Sequence, residues 1–395
     1  MMKILYVDVY AHAINFSNTN FSTLVNKIGD VKFYGPSFIS EVILKKGLLK
    51  YISENGPFDF LIVGPNTALI MDLDNLKHHT SGLVKFNSFA TNEKTIENFY
   101  NDFFSSLPKI QIKNKICSMF LVDQYAINFN HLKIFEKYDF YFLTPDDQFF
   151  PFKKDLPEWI IEEEFYQRKK SHLDDVWKQF LINNKHKVIN CMHYVSETEF
   201  IFRNLLSRKY DIVIPGILYT KRLEMKKRLE KLKYKMYKNR LSFFLRLGNK
   251  LKLPIFSEYI TLNLYNLLFR RSLINSKFAF TDGGGYNAIV RKFFEIPANG
   301  CLLFCRSPHG FNNLGFKKNE HYVEVTAQNL HEKVEYYHKN INRAQIIVNN
   351  ARRFTFNNHS LSKRALQIKK CLKSILKKEF YGSEWKDGKY IINRK

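Results

Sequence analysis

Short apolar runs alternate with helix-period stretches through the first half of the chain. The runs KILYVDVY (3–10), VKFYG (31–35), FDFLIVG (58–64), ICSMFLVD (116–123) and YDFYFLTP (138–145) carry the aromatic and β-branched content of buried strands. Between several of them, residues 39–53 and 128–137 repeat apolar positions at three and four, the spacing of an amphipathic helix. Such alternation predicts a parallel sheet with helices on its faces.

The pattern restarts after a polar, charged stretch at 146–187. VINCMHYV (188–195), a helix to about residue 207, YDIVIPG (210–216), a basic segment, FAFTD (278–282), a glycine-led helix, CLLFC (301–305) and HYVEV (321–325) form a second α/β series. Helical periodicity then covers 329–338, 344–353 and 362–377, and no internal repeat or low-complexity tract interrupts it. The expected organisation is α/β throughout: a domain at 1–186, a second at 187–360 with a basic insertion at 221–252, and a C-terminal helix and tail at 361–395. Two such domains in tandem leave a cleft between them.

The most informative stretch is FAFTDGGGYNAIVRKFFEIPANG (278–300), which reads as strand, glycine turn, helix and stop. Gly283, Gly284 and Gly285 let the backbone approach a ligand closely. A helix following at once would aim its free N–H groups and dipole at an anion, typically a phosphate. A plain strand-to-helix turn explains the triplet equally well.

Length and charge refine this picture. At 395 residues and 45% hydrophobic, the chain can form two cores and is not a disordered protein. Its net charge of +25 is uneven: residues 1–150 hold 14 Lys and Arg against 15 Asp and Glu, whereas 221–252 hold 13 against 2. Leu223, Leu229, Leu232 and Met236 form a rough stripe at the start of that segment, and LSFFLRLGNKLKLPIF (241–256) interleaves Phe and Leu with basic residues. This composition suits an anionic membrane surface, and it also suits a solvated helix packed by its leucines. No nucleic-acid-binding module accompanies the charge, so nucleic acid is not the expected partner. Cys117, Cys191, Cys301, Cys305 and Cys371 form no CxxC pair, which argues against zinc and against a disulfide framework. Asp8 interrupts any secretory apolar core, and no run reaches the length of a membrane span, so the expected location is the cytoplasm.

From Arg291 onward, RKFFEIPANG (291–300) resembles the C-terminal domain of group 1 glycosyltransferases of GT-B architecture, in their spore-protein-like branch. LGFKKNEHYVEV (314–325), NLHEKVEYYHKN (329–340) and NNHSLSKRALQI (357–368), with its H-x4-R spacing, are similar to the elements that follow in that family. Upstream, YDIVIPGILYTKR (210–222) is similar to its first C-domain strand with a glycine and Y-x-x-R. The resemblance spans about 188–370 and implies two Rossmann-like domains facing a cleft, with the last helix packing back toward the first domain.

It further implies transfer of a sugar from a nucleotide-sugar donor to a surface-glycan or lipid-linked acceptor, with no cofactor and no dedicated metal. DLD at 72–74 fits a metal-binding DxD pattern only formally, because it lies away from the predicted donor side. Donor-binding positions would be Gly216, Arg222, Gly283, Gly284, Gly285, Tyr286, Arg291, Lys292 and Glu295. Glu295 would hold the ribose hydroxyls, or else pair with Arg291 one turn earlier. Arg222, Arg291 and Lys292 would neutralise phosphate charge, or simply occupy a solvated face. Tyr286 would touch base or phosphate, or pack in the core.

Retaining members of the family carry two glutamates eight positions apart, and Asn287 stands at the earlier one, so stereochemistry stays open. The catalytic base is sought at the strand ends of the first domain, where open α/β sheets place ligands. Asp8, His12 and Asp123 are the candidates there, and His193 sits near the domain junction. Two other readings stand beside this one: a fucosyltransferase-like GT-B enzyme, and a non-catalytic basic protein that binds nucleic acid or anionic lipid.

Overall fold

The computed structural model of the chain describes residues 1–10, 12–13, 21–68, 87–88, 93–118, 135–144, 174–216, 220–231, 234–237, 258–283 and 289–395. Six strands form the first sheet: β1 (Lys3–Val7), β2 (Asp30–Tyr34), β3 (Phe60–Val63), β4 (Asn114–Ser118), β5 (Phe140–Leu143) and β6 (Val188–Asn190). Their order is β2-β1-β3-β4-β5-β6, and every pairing is parallel. The strands read as unbroken apolar runs because both faces are covered. Leu5, Val7, Leu61, Val63, Tyr141 and Leu143 pack on one side beneath helix α1 (Glu93–Ser106). Ile4, Tyr6, Phe60, Ile62, Ile116, Phe142 and Ile189 pack on the other.

The second sheet is β7 (Tyr210–Val213), β8 (Ser276–Thr281), β9 (Leu302–Cys305) and β10 (Val323–Glu324), in the order β10-β9-β8-β7 and again all parallel. Helices α2 (Thr220–Glu230) and α3 (Glu258–Asn275) lie between β7 and β8, and α4 (Lys292–Ala298) lies between β8 and β9. After β10 come α5 (Leu330–Lys339), α6 (Ile341–His359) and α7 (Leu361–Leu376). As expected, α7 returns to the first domain: Leu361, Ala365, Ile368, Leu372 and Ile375 fill the same core as Ile4, Tyr6 and Phe60.

Two expectations are corrected. Val188–Asn190 was assigned to the second domain, but it pairs with β5 and closes the first sheet. In α2 the buried positions are Arg222, Met225 and Leu229, while Leu223 is exposed, so the stripe through Leu223 is not the packed face. Within the expected tail, β11 (Phe380–Lys386) and β12 (Lys389–Arg394) form an antiparallel hairpin. Residues 238–252 of the basic segment, and DLD at 72–74, lie outside the described residues.

Candidate active site

The chain passes between the two sheets twice, side by side. Val195 N–H donates to the His359 carbonyl at 3.1 Å, and Leu361 N–H donates to the Val195 carbonyl at 2.9 Å. The H-x4-R motif secures this crossing. His359 and Arg364 are fully buried; Arg364 donates to the His193 carbonyl at 3.3 Å and approaches His359 Nδ1 at 3.2 Å. Burial first, then Arg364, holds the His359 imidazole well below its ordinary pKa, so it is neutral and Nδ1 accepts. His193 behaves alike: burial first, then Arg291 and Arg364, lower its pKa to about 3, which leaves it uncharged at neutral pH.

At the C-terminal end of β8, Thr281 and Asp282 are buried and Gly283 follows. Arg222 reaches them from the first turn of α2, its Nε 2.6 Å from Asp282 Oδ1 and its Nη2 2.8 Å from the Asp282 carbonyl. With 2% of its surface exposed, Arg222 clamps the strand end rather than facing solvent. Gly216, just past β7, has φ +85°, a conformation that favours glycine.

The helix expected directly after the glycines begins four residues later than Ala288, at Lys292, and Phe293, Phe294 and Ile296 anchor it in the core of the second sheet. Gly284, Gly285, Tyr286 and Asn287 lie outside the described residues. Arg291 is held by two carboxylates: Glu295 one turn on, and Glu199, whose oxygens stand 2.6 and 2.8 Å from Nη2. The Arg291–Glu295 pair therefore forms, and only Oε1 of Glu295 takes part in it. Burial outweighs Arg291 and raises the Glu295 pKa. Glu199 was not singled out from the sequence; its signal was S-x-x-E at 196–199, a capping box that the structure forms.

Lys292 stands apart from these pairs. Among the described residues its amine has no hydrogen bond or ion pair, although it lies close enough to Arg222, Glu295 and Asp282 to feel their charges. Burial first, then Arg222, lowers its pKa to about 7.

In the first domain Asp8 directly follows β1 and is 1% exposed. Its Oδ1 accepts from Thr67 N–H at 2.7 Å and Thr67 Oγ1 at 3.0 Å, and its Oδ2 accepts from the Tyr6 hydroxyl at 2.8 Å and Asn66 Nδ2 at 3.4 Å. Burial nevertheless raises its pKa to about 6, against the opposing effect of those donors. His12 and Ala13 pair antiparallel with Asn87 and Ser88, and this small ribbon lies beside α3 of the second domain. Asp123 lies outside the described residues. Thus Arg222, Asp282, Arg291, Lys292 and Glu295 come together, with Glu199 added, whereas Asp8 belongs to the other sheet.

Residues 256–370 match a family described as glycosyl transferase-like, a span that contains β8, α4 and the H-x4-R motif. No curated protein matches the sequence. HepE of Anabaena, solved in complex with UDP-glucose, superposes with a TM-score of 0.51 at 9% identity over 95% of this chain and 100% of that one, a likeness of fold. Sucrose-phosphate synthase of Thermosynechococcus elongatus (TM-score 0.48, 10% identity, 96% and 100% covered) is a further match. So is a glycosyltransferase of Rickettsia africae (0.46, 15%, 95% and 99%).

Proposed function

We infer from the matched domain and the two-sheet frame, which make this chain a glycosyltransferase of GT-B architecture, that it moves a sugar from a nucleotide-sugar donor to a surface-glycan or lipid-linked acceptor. The observation that carries the donor side is Lys292. An amine kept half-buried, with no hydrogen bond or ion pair among the described residues, beside a clamped strand end is poised to take a diphosphate, whose charge would replace the solvation it lacks. Glu295 keeps Oε2 for the ribose hydroxyls while Arg291 fixes its orientation. Arg222 acts indirectly, by holding Asp282 and Gly283 where the donor backbone contacts would be made.

As the leaving group departs, negative charge builds on its phosphates, and Lys292 with the backbone after Gly283 would stabilise it. This supports transfer without a dedicated metal. Deprotonation of the acceptor hydroxyl is proposed for His12, which follows β1 on a ribbon beside α3 of the second domain. The four donors to Asp8 reserve that carboxylate for fixing the chain just ahead of His12.

None of the helices searched is long and apolar enough to cross a membrane. Contact with an anionic membrane is proposed through the basic segment, because Lys227, Arg228 and Leu223 of α2 are exposed together. Release of UDP from UDP-glucose, the sugar nucleotide bound to HepE, is the first assay to run, alongside release of GDP, CMP and dTDP from their own sugar nucleotides. Turnover that persists in EDTA is expected. Turnover abolished by EDTA and restored by a divalent ion would overturn the metal-free reading.

A further inference from the structure

The segment 200–209 lies along α6 and is held there by contacts spread over its length. Leu205 N–H donates to Gln345 Oε1 at 2.8 Å, the Arg352 guanidinium sits over the Phe202 ring at 4.3 Å, and Phe200 meets Phe356 edge-on with centroids 5.0 Å apart. Gln345, Arg352 and Phe356 share one helical face, so these contacts run for about 16 Å along the helix. The packing nevertheless leaves large apolar side chains in the open. Phe202 is 71% exposed, Leu206 67%, Ile346 60% and Phe356 45%.

The same two stretches carry charge of one sign. Residues 200–209 and 341–359 hold Arg203, Arg208, Lys209, Arg343, Arg352 and Arg353, and neither contains Asp or Glu. Arg208 is buried and committed to the carbonyls of Leu273, Ser276 and Asn299, whereas Lys209, Arg343 and Arg353 are exposed. Burial first, then the like charges of Arg353 and Arg208, lower the Arg352 pKa from its ordinary value. An anion above this ridge would relieve that repulsion.

Single apolar side chains scattered over a surface are ordinary, but a group of them on one ridge marks a contact site. A second copy of the chain is a poor occupant, because a twofold interface would set the same arginines against one another and each chain carries +25. Phe, Leu and Ile standing clear of the surface among cations match an anionic bilayer, whose headgroups pair with the cations while its acyl boundary takes the apolar side chains. We propose that Phe202, Leu206, Ile346 and Phe356, with Arg352 and Arg353, form the face by which the protein docks on an anionic lipid surface. The proposal rests on the membrane contact inferred above and gives it an apolar foothold in different elements from the basic segment.

Co-sedimentation of the full-length protein with vesicles of phosphatidylcholine, alone or mixed with phosphatidylglycerol, tests this. The wild type should bind the mixed vesicles more tightly than the neutral ones. Phe202→Ser with Leu206→Ser changes no charge and should weaken binding to the mixed vesicles at least about tenfold, the loss of two inserted apolar side chains. Arg352→Gln with Arg353→Gln should weaken it by about ten- to thirtyfold, the worth of two basic residues at the surface. The five cysteines are buried, so Leu206→Cys can be labelled selectively with an NBD dye, whose emission should shift to the blue on the mixed vesicles. Emission that does not move overturns the proposal, and this single variant decides the matter should the double variant not fold. Binding by Phe202→Ser/Leu206→Ser as tight as that of the wild type overturns it equally. If Lys227→Gln with Arg228→Gln abolishes binding while the ridge variants do not, the basic segment alone makes the contact and the ridge has no part in it. Absence of wild-type binding to either kind of vesicle overturns both readings. A wild type that sediments as a dimer, with Phe202→Ser/Leu206→Ser as a monomer, would make the ridge an interface between copies instead.

Discussion

At the scale of single residues, the donor-side chemistry turns on which charges are already satisfied. Arg222 and Arg291 are committed to Asp282, and to Glu199 and Glu295, respectively. Removing either cation would take its ion pair from a buried carboxylate, so Arg222→Met is expected to lower stability by about 3–5 kcal/mol, read from urea denaturation. Among the described residues, removing Lys292 orphans nothing. Its folded pKa of about 7 lies below its ordinary value of 10.5, so the folded chain binds fewer protons than the unfolded chain between those limits. Its contribution to stability is therefore fully present above the unfolded value and is lost as pH falls through about 7. Anion binding favours the charged amine, which gives the opposite trend for the ligand. Nucleotide affinity should fall as pH rises from about 6 to about 9, and Lys292→Arg should flatten that dependence, both by calorimetry. A wild-type profile as flat as that of the variant would contradict the assignment.

At the scale of elements, periodicity and composition located every strand of both sheets, because parallel strands covered on both faces are unbroken apolar runs. Which sheet a strand joins was less legible. Val188–Asn190 has the same apolar character whether it opens the second sheet or closes the first, and its parallel pairing with β5 is a long-range choice. In α2 the lysines concealed the register: Arg222, committed to Asp282, occupies an inward position that a stripe of leucines does not reveal. The terminal hairpin had a signal that went unused. Asp387–Gly388 takes φ values of +50° and +76°, both left-handed, the requirement of a two-residue type I′ turn for which Asp-Gly is a preferred pair. Of the site, FFEIPANG and Asp282 were readable locally, whereas Glu199 acts on Arg291 across 92 positions and only the fold brings them together.

At the scale of the whole molecule, the described residues that join the two sheets include the paired crossings at Val195 and Ser360, helix α7, and the hairpin. The hairpin touches both sides. Ser383 meets Asn190 at the edge of the first sheet, while Gly388 N–H donates to the Asn313 carbonyl at 2.9 Å in the second domain. There Gly315 and Gly388 pack backbone to backbone, and a Cβ on Gly388 would lie 3.0 Å from the Gly315 Cα. Gly388→Ala should thus cost about 1–3 kcal/mol, through the left-handed φ as well as the close contact, and lower the melting temperature. An unchanged melting temperature would show that the hairpin does not brace the two domains.

The central claim is that β8, α4 and Lys292 form a nucleotide-sugar site, and calorimetric titration of the wild type and Lys292→Met with UDP, GDP, CMP and dTDP tests it most directly. One nucleotide should bind the wild type. The variant should bind it at least about tenfold more weakly, the cost of one charge-assisted contact, with a melting temperature no lower than that of the wild type because no partner among the described residues is orphaned. Failure of all four nucleotides to bind, or equal binding by wild type and variant, would contradict the account.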